Sequence, residues 1–200
     1  ALRAARYPVP AKARASLVDA LVVRGKFAAA WRFYSAGQAR SDPRMSRDPN
    51  FMAVDEAPTR FDWIVMNSAN GISVALQRNG REGELDFFVP ATASGLLASQ
   101  LQVLPPGSYR LDGSASTSGQ AGKPVPYWTL RCVPDGRELG RVDLPGPGPE
   151  IGRFAARFTV PADCPAQSLE LVARGPDDPA GVTGRIRQAR LRPAVQVAGE

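Results

Sequence analysis

The residues whose spacing comes closest to an acid–base pair are two carboxylates in the 200-residue chain. Glu84 and Asp86 lie two positions apart in the segment Glu-Leu-Asp-Phe-Phe-Val, so their side chains would share one face of a β-strand. Two carboxyl groups that flank a glycosidic bond can hydrolyse it. Charges that alternate along a strand are far more often part of a solvated surface, and we therefore predict no catalytic residues.

The chain contains no histidine, which excludes Ser-His-Asp and Cys-His catalysis and every histidine-ligated metal site. Asp55 and Glu56 are adjacent acids between prolines, a setting in which carboxylates are expected to be solvated. The sequence predicts no metal site and no cofactor.

Two cysteines, Cys132 and Cys164, have two possible states. Cys132 ends one strand-like apolar run and Cys164 precedes another. They could be two separate buried thiols. Alternatively, the two runs are neighbours in a sandwich and the cysteines form a disulfide, which is the arrangement that we predict. A disulfide of this kind would place the protein in an oxidising compartment such as a periplasm or the extracellular space.

The elements that position these residues change in character near Arg47. The first 47 residues contain ten Lys or Arg and two Asp or Glu, whereas the remaining 153 contain fifteen and seventeen. The overall charge of +6 therefore arises in the N-terminal segment. Its cations are spread around the predicted helices, which favours a protein partner or an anionic surface. We predict no nucleic-acid partner.

Residues 11–40 show the apolar spacing of two short helices that are separated by Gly25. This layout resembles a single tetratricopeptide repeat, with matching positions at Leu17, Leu21, Gly25, Phe27, Ala30, Tyr34 and Pro43. Val18 and Gly37 depart from that pattern, and a plain helical hairpin is the alternative. One helical pair cannot bury its apolar face alone, so it packs on the rest of the chain or ends a longer helical array.

After a predicted linker at residues 48–59, short apolar runs alternate with Pro and Gly turns through residues 60–195. Ten strands are predicted, at residues 60–66, 71–77, 84–89, 95–103, 109–115, 127–133, 138–143, 153–160, 168–173 and 185–192. This pattern is typical of an antiparallel sandwich. We predict a mainly β fold, an antiparallel β-sandwich of the jelly-roll type, preceded by an α-helical hairpin at residues 1–47.

The segment around residues 100–115 resembles the central strand–turn–strand of carbohydrate-binding modules with a galactose-binding-like jelly roll. The matching positions are Gln100, Val103, Pro106, Gly107 and Tyr109, and residues 184–191 resemble the closing strand of that family. The resemblance implies a jelly roll and a polysaccharide or glycan as the ligand. Many such modules have an Asp that supports calcium where this chain has Gln188, and this departure weakens any expectation of calcium.

Candidate ligand-binding residues come from the run Tyr-Trp-Thr-Leu-Arg-Cys at residues 127–132. Alternation places Trp128 and its i+2 and i+4 neighbours in the core and turns Tyr127, Thr129 and Arg131 outward. We predict Tyr127 and Arg131 as the ligand-binding residues. Trp63 is expected in the core, because it alternates with apolar residues.

The chain has no run of about 18 apolar residues, so no transmembrane segment is predicted. It begins with Ala1 and has no signal-peptide pattern, and we expect a processed protein or an excised piece. The functional expectation is a non-catalytic bacterial envelope protein, periplasmic or extracellular, that binds or organises polysaccharide in export or surface attachment. The alternative is a protein-interaction scaffold without a sugar site, which contacts its partner through residues 1–47.

Overall fold

Two helices open the structure, a computed structural model that describes residues 10–36, 38, 41–53, 55–68, 70–148, 150–175 and 178–194. Helix α1 is Ala11–Val23 and helix α2 is Phe27–Ser35. Gly25 separates them with a φ of +69°, a conformation that glycine adopts without a steric penalty. The helical hairpin that the sequence predicts is therefore confirmed.

Ten strands follow in the part of the chain that the structure describes, one at each predicted position. They are β1 (Ile64–Val65), β2 (Ser73–Asn79), β3 (Glu82–Val89), β4 (Gly95–Gln102), β5 (Gly107–Thr117), β6 (Tyr127–Cys132), β7 (Glu138–Asp143), β8 (Gly152–Val160), β9 (Gln167–Ala173) and β10 (Val182–Pro193). The first strand is shorter than predicted. Its expected start forms a turn in which the amide of Asp62 donates to the carbonyl of Thr59 at 2.9 Å.

The strands form two five-stranded sheets, in the orders β1-β4-β9-β6-β7 (the first sheet) and β2-β3-β10-β5-β8 (the second sheet). Every strand pair is antiparallel. The inner faces enclose one apolar core, whose fully buried members include Trp128, Leu130, Leu169 and Leu171 from the first sheet and Leu85, Leu111 and Ile186 from the second. The predicted antiparallel jelly-roll sandwich with an N-terminal hairpin is confirmed.

The segment between the hairpin and β1 is tied to the sandwich by backbone hydrogen bonds to β10. Ser46 donates its amide to the carbonyl of Leu191, and Ala189 donates to the carbonyl of Pro49, both at 2.9 Å. Phe51 is fully buried in the core. The division of the chain at residues 47 and 59 stays a prediction.

The hairpin packs on the sandwich through a second apolar cluster, formed by Val18, Val22, Ala30, Tyr34, Phe61, Leu101 and Ala166. Of the two arrangements that the sequence leaves open, the structure shows docking on the β domain. Leu17, which matches a packing position of the repeat pattern, is 44% exposed because Val18 and Val22 face the sandwich instead. Neither helix in the described part of the chain is long and apolar enough to cross a membrane.

Candidate functional site

A groove of about 490 Å³ lies on the outer face of the first sheet, beside α1. Asp19 and Val22 of α1 form one wall. The apolar part of the floor comes from Ile64 of β1, from Met66 just after it and from Leu101 of β4. The groove is therefore built at the junction of the hairpin and the sandwich.

Strand register explains how the polar residues of the floor come together. Ser99 pairs with Glu170 across β4 and β9, and Ser168 pairs with Arg131 across β9 and β6. Directly paired residues point to the same face of a sheet. Leu171, one position from Glu170, is fully buried on the opposite face, so Glu170 and its partners face outward.

Arg131, one of the two predicted ligand-binding residues, lines this groove. Its guanidinium donates from Nε and Nη2 to the carbonyl of Gly136, at 3.2 and 2.9 Å. These bonds hold the head group beside the β6–β7 turn and use two of its five N–H donors. The other donors are available to a ligand.

Glu170 lines the same groove and is partly exposed. Within the described ranges its carboxylate takes part in no recorded ion pair or side-chain hydrogen bond. At the rim, Asp19 and Arg60 form an ion pair at 3.0 Å. The groove thus presents an apolar strip, a carboxylate and a guanidinium side by side.

Tyr127, the other predicted ligand-binding residue, lies on the same outer face as Arg131, four positions away along β6. It does not line the groove. The guanidinium carbons of Arg174 and Arg141 lie 4.3 and 4.7 Å from the centre of its ring. Both arginines are also ion-paired. Arg174 pairs with Asp143 at 2.9 Å, and Arg141 pairs with Glu138 on the same strand, β7. The ring is therefore a support for two cations rather than an open platform.

Two further expectations concern residues near this face. The sequence predicts that Thr129 points outward, and the register places it in the outward row with Glu170, but on β6, which is flanked by β9 and β7, it is fully buried. Its hydroxyl donates to the carbonyl of Gly140 at 3.0 Å. Trp63 is 5% exposed and belongs to the core, as predicted.

The predicted disulfide is confirmed, because Cys132 and Cys164 are bonded. Cys132 ends β6 and lines the groove, and Cys164 lies between β8 and β9. The bond therefore fixes the end of the strand that carries Arg131.

The carboxylates of Glu84 and Asp86 lie on the outer face of the second sheet, away from the groove. One carboxylate oxygen of Glu84 and one of Asp86 each lie 3.2 Å from Nε of Arg185. They form part of an ion-paired surface. The described residues include no group of three or more His, Cys, Asp or Glu placed to hold a metal ion.

Sequence reasoning missed Glu170, Ser168 and the wall formed by Asp19. The alternation Ser-Leu-Glu-Leu in β9 does mark Ser168 and Glu170 as outward. The sequence carries no signal that β9 lies between β4 and β6, or that α1 closes one side of the groove.

No family model and no curated protein matches this sequence. Solved structures do. A carbohydrate-binding module of type CBM4 is 13% identical, with a TM-score of 0.53 over 74% of this chain and 99% of that one. The enzymatically active domain of tailspike protein 4 from bacteriophage CBA120 is 13% identical, with a TM-score of 0.50 over 67% of this chain. This chain covers 20% of that tailspike domain. At such low identity the matches establish the fold, which is that of carbohydrate-binding-module jelly rolls.

Proposed function

We propose that this protein is a non-catalytic polysaccharide-binding module whose ligand lies in the groove beside α1. The observation that carries the proposal is the chemistry of the groove floor. Ile64, Met66 and Leu101 form an apolar strip next to Arg131 and Glu170. A sugar ring has the same two-sided character, because its C–H groups are apolar and its hydroxyls donate and accept hydrogen bonds.

The two charged groups suit hydroxyl recognition from opposite directions. A carboxylate only accepts hydrogen bonds and a guanidinium only donates them. Glu170 can therefore receive hydroxyl protons while Arg131 donates to hydroxyl oxygens. The jelly-roll fold shared with the CBM4 module adds support to this assignment.

Tyr127 is proposed as a second contact for a chain that extends beyond the groove along β6. Its ring carries Arg174 and Arg141, so it would act by placing those two donors over the sheet. This role differs from direct stacking of the ring on a sugar.

Binding to immobilised xylan, galactan and β-glucan tests the proposal. Arg131→Ala and Glu170→Ala should each weaken retention, whereas Arg81→Ala, an exposed arginine in the turn between β2 and β3, should leave it unchanged. Unfolding temperatures of all variants show whether each one is folded. The proposal fails if the wild-type protein binds none of these polymers, or if the Arg81 variant loses as much as the Arg131 variant.

The confirmed disulfide supports an oxidising location, periplasmic or extracellular, for this binding module. A role in polysaccharide export or surface attachment would fit such a location. Mass spectrometry of unreduced peptides from cells that make the protein should recover the Cys132–Cys164 pair. Two free thiols in that material would contradict the assignment.

A second proposed function is contact with a partner protein through the hairpin. Leu17 and Val23 of α1 are 44% and 77% exposed, so the hairpin presents apolar side chains that a partner could cover. The resemblance of the hairpin to a tetratricopeptide repeat would fit this use. Crosslinking in native material should lose a partner in Leu17→Asp/Val23→Asp, and unchanged crosslinks would count against it.

A further inference from the structure

The outer face of the second sheet carries a cluster of arginines that the groove does not use. Alternation turns Arg153 and Arg157 of β8 outward, because Phe154 and Phe158 between and beside them are buried. In the same way the buried Leu111 leaves its neighbours on β5 facing outward. The cluster, here called the arginine face, consists of Arg110, Arg153, Arg157, Arg190 and Arg192.

Register brings these arginines into direct opposition. Arg110 of β5 pairs with Arg157 of β8 on one side and with Arg192 of β10 on the other. Adjacent strands are about 4.8 Å apart, so these three arginine side chains leave the sheet in a row at that spacing. Like charges directly opposite each other destabilise a sheet.

Little negative charge compensates this row. Asp112 is shared by Arg110 at 3.5 Å and Arg192 at 3.1 Å. Within the described ranges, no ion pair is recorded for the other three members of the arginine face. The opposite half of the same sheet differs, because there Glu84 and Asp86 both pair with Arg185. The excess of positive charge is therefore local to β5, β8 and the end of β10.

A shallow groove of about 460 Å³ runs over this face, lined by Arg110, Arg153 and Arg192 together with Ser114 and Gln188. Arginine presents a planar fork that binds a carboxylate through two hydrogen bonds. Serine and glutamine add neutral donors and acceptors of the kind that suit hydroxyls. Repeated carboxylates on a hydroxylated polymer match both sets of groups.

We propose that the arginine face is a second binding surface and that its ligand is an acidic polysaccharide, a polymer of uronate sugars. The site goes beyond the groove beside α1, since it lies on the opposite sheet and recognises negative charge.

Two other polyanions fit the surface less well. Single-stranded nucleic acids depend on aromatic side chains for base stacking, and the described residues of β5, β8 and β10 turn no aromatic side chain outward on this face. Stable attachment to an acidic membrane uses an apolar surface that enters the lipid. Among the described side chains that line this groove and point outward, the apolar one is the small methyl group of Ala155, which offers little surface to a lipid.

Polygalacturonate is the probe, with binding measured by isothermal calorimetry in the folded full chain. Arg153→Glu/Arg157→Glu should weaken binding on the order of tenfold, and the wild-type affinity should fall as salt is raised. The matched control is Arg24→Glu/Lys26→Glu on the hairpin, which changes the net charge equally and should bind like the wild type. The same Arg153→Glu/Arg157→Glu variant should keep the wild-type retention on β-glucan, which separates this surface from the groove.

Three results would overturn the proposal. The first is no binding of polygalacturonate by a folded wild-type protein. The second is an equal loss in the hairpin control, because the effect would then be one of net charge. The third is tighter binding to a single-stranded oligonucleotide, or to vesicles of phosphatidylcholine and phosphatidylserine, than to polygalacturonate.

Discussion

The hydroxyl of Tyr34 on α2 donates to the carboxylate of Asp62, which precedes β1 by two residues. The same carboxylate accepts from Nε of Arg47 at 3.1 Å and from the amide and hydroxyl of Thr59 at 2.9 and 2.8 Å. Burial and the bond to Asp62 raise the pKa of Tyr34 far above its usual value, so the hydroxyl keeps its proton. This cluster joins the hairpin to the sandwich.

Tyr34→Phe removes the hydroxyl and leaves the ring in place. Hydrogen bonds to charged groups stabilise folded proteins by about 1.5 to 3 kcal/mol, and we expect a loss near the lower end because Asp62 keeps its other donors. Urea unfolding measures the difference. Tyr127→Phe is the control, since no hydrogen bond of its hydroxyl is recorded among the described residues, and it should change stability by less than about 0.5 kcal/mol. Equal effects of the two substitutions would show that the Tyr34–Asp62 bond contributes nothing specific.

Asp55 is predicted to destabilise the fold at neutral pH. Its side chain is exposed, yet a partial loss of hydration and repulsion from Asp62 raise its pKa in the folded state. The folded protein therefore binds this proton more tightly than the unfolded chain, and stability falls as pH rises through the interval between the two pKa values. Asp55→Asn should be more stable than the wild type at pH 7, and the difference should shrink once the carboxyl of the wild type is protonated in both states. Denaturant titrations at neutral and strongly acidic pH measure both quantities. A variant that is less stable at pH 7 would contradict this account.

Removal of the disulfide should destabilise the sandwich substantially. Cys132 and Cys164 are 32 positions apart, and closing a loop of that length stabilises a fold by about 3 to 4 kcal/mol in the chain-entropy model. Cys132→Ser/Cys164→Ser should lose about that much in urea unfolding. Dithiothreitol should lower the stability of the wild type and leave the variant unchanged. If reduction has no effect on the wild type, the bond does not constrain the unfolded chain.

Gly113 is predicted to tolerate no side chain. A Cβ at this position would lie 2.0 Å from the carbonyl oxygen of Gln188 and 2.5 Å from Cζ of Phe154. Overpacking of this kind costs typically 1 to 3 kcal/mol, and contact with backbone places Gly113→Ala at about 3 kcal/mol or above. Gly146→Ala is the control, because among the described residues no atom beyond its two chain neighbours lies within 4 Å of the position that its new methyl group would occupy, and its φ is ordinary. Thermal unfolding of the two variants should differ clearly, and a harmless Gly113→Ala would show that β10 can shift away from β5.

The strand pattern could be predicted from the sequence because each element is a local property. In β6 the alternation correctly places Trp128 and Leu130 inward and Arg131 outward. Fold class follows from many such local patterns between turn residues. The groove does not, because it depends on which strands are neighbours. Glu170 lies near Arg131 on the outer face only because β9 pairs with β6.

Charge shows the same limit in another form. Residues 48–200 contain fifteen Lys or Arg and seventeen Asp or Glu, which predicts a nearly neutral β domain. The sum conceals how strands sort the charges in space. Arg110, Arg157 and Arg192 are distant in sequence and become neighbours through pairing of β5 with β8 and β10.

The two sheets of the sandwich lie back to back, so their outer faces point in opposite directions. A straight polymer that rests on the first sheet cannot also touch the second. If each face holds its own polymer, the protein crosslinks two separate polysaccharide chains of a matrix. Its activity would then be mechanical. The viscosity of a dilute mixture of a neutral and an acidic polysaccharide should rise when the protein is added, with a dependence on the protein-to-polymer ratio that a solution of either polysaccharide alone does not show.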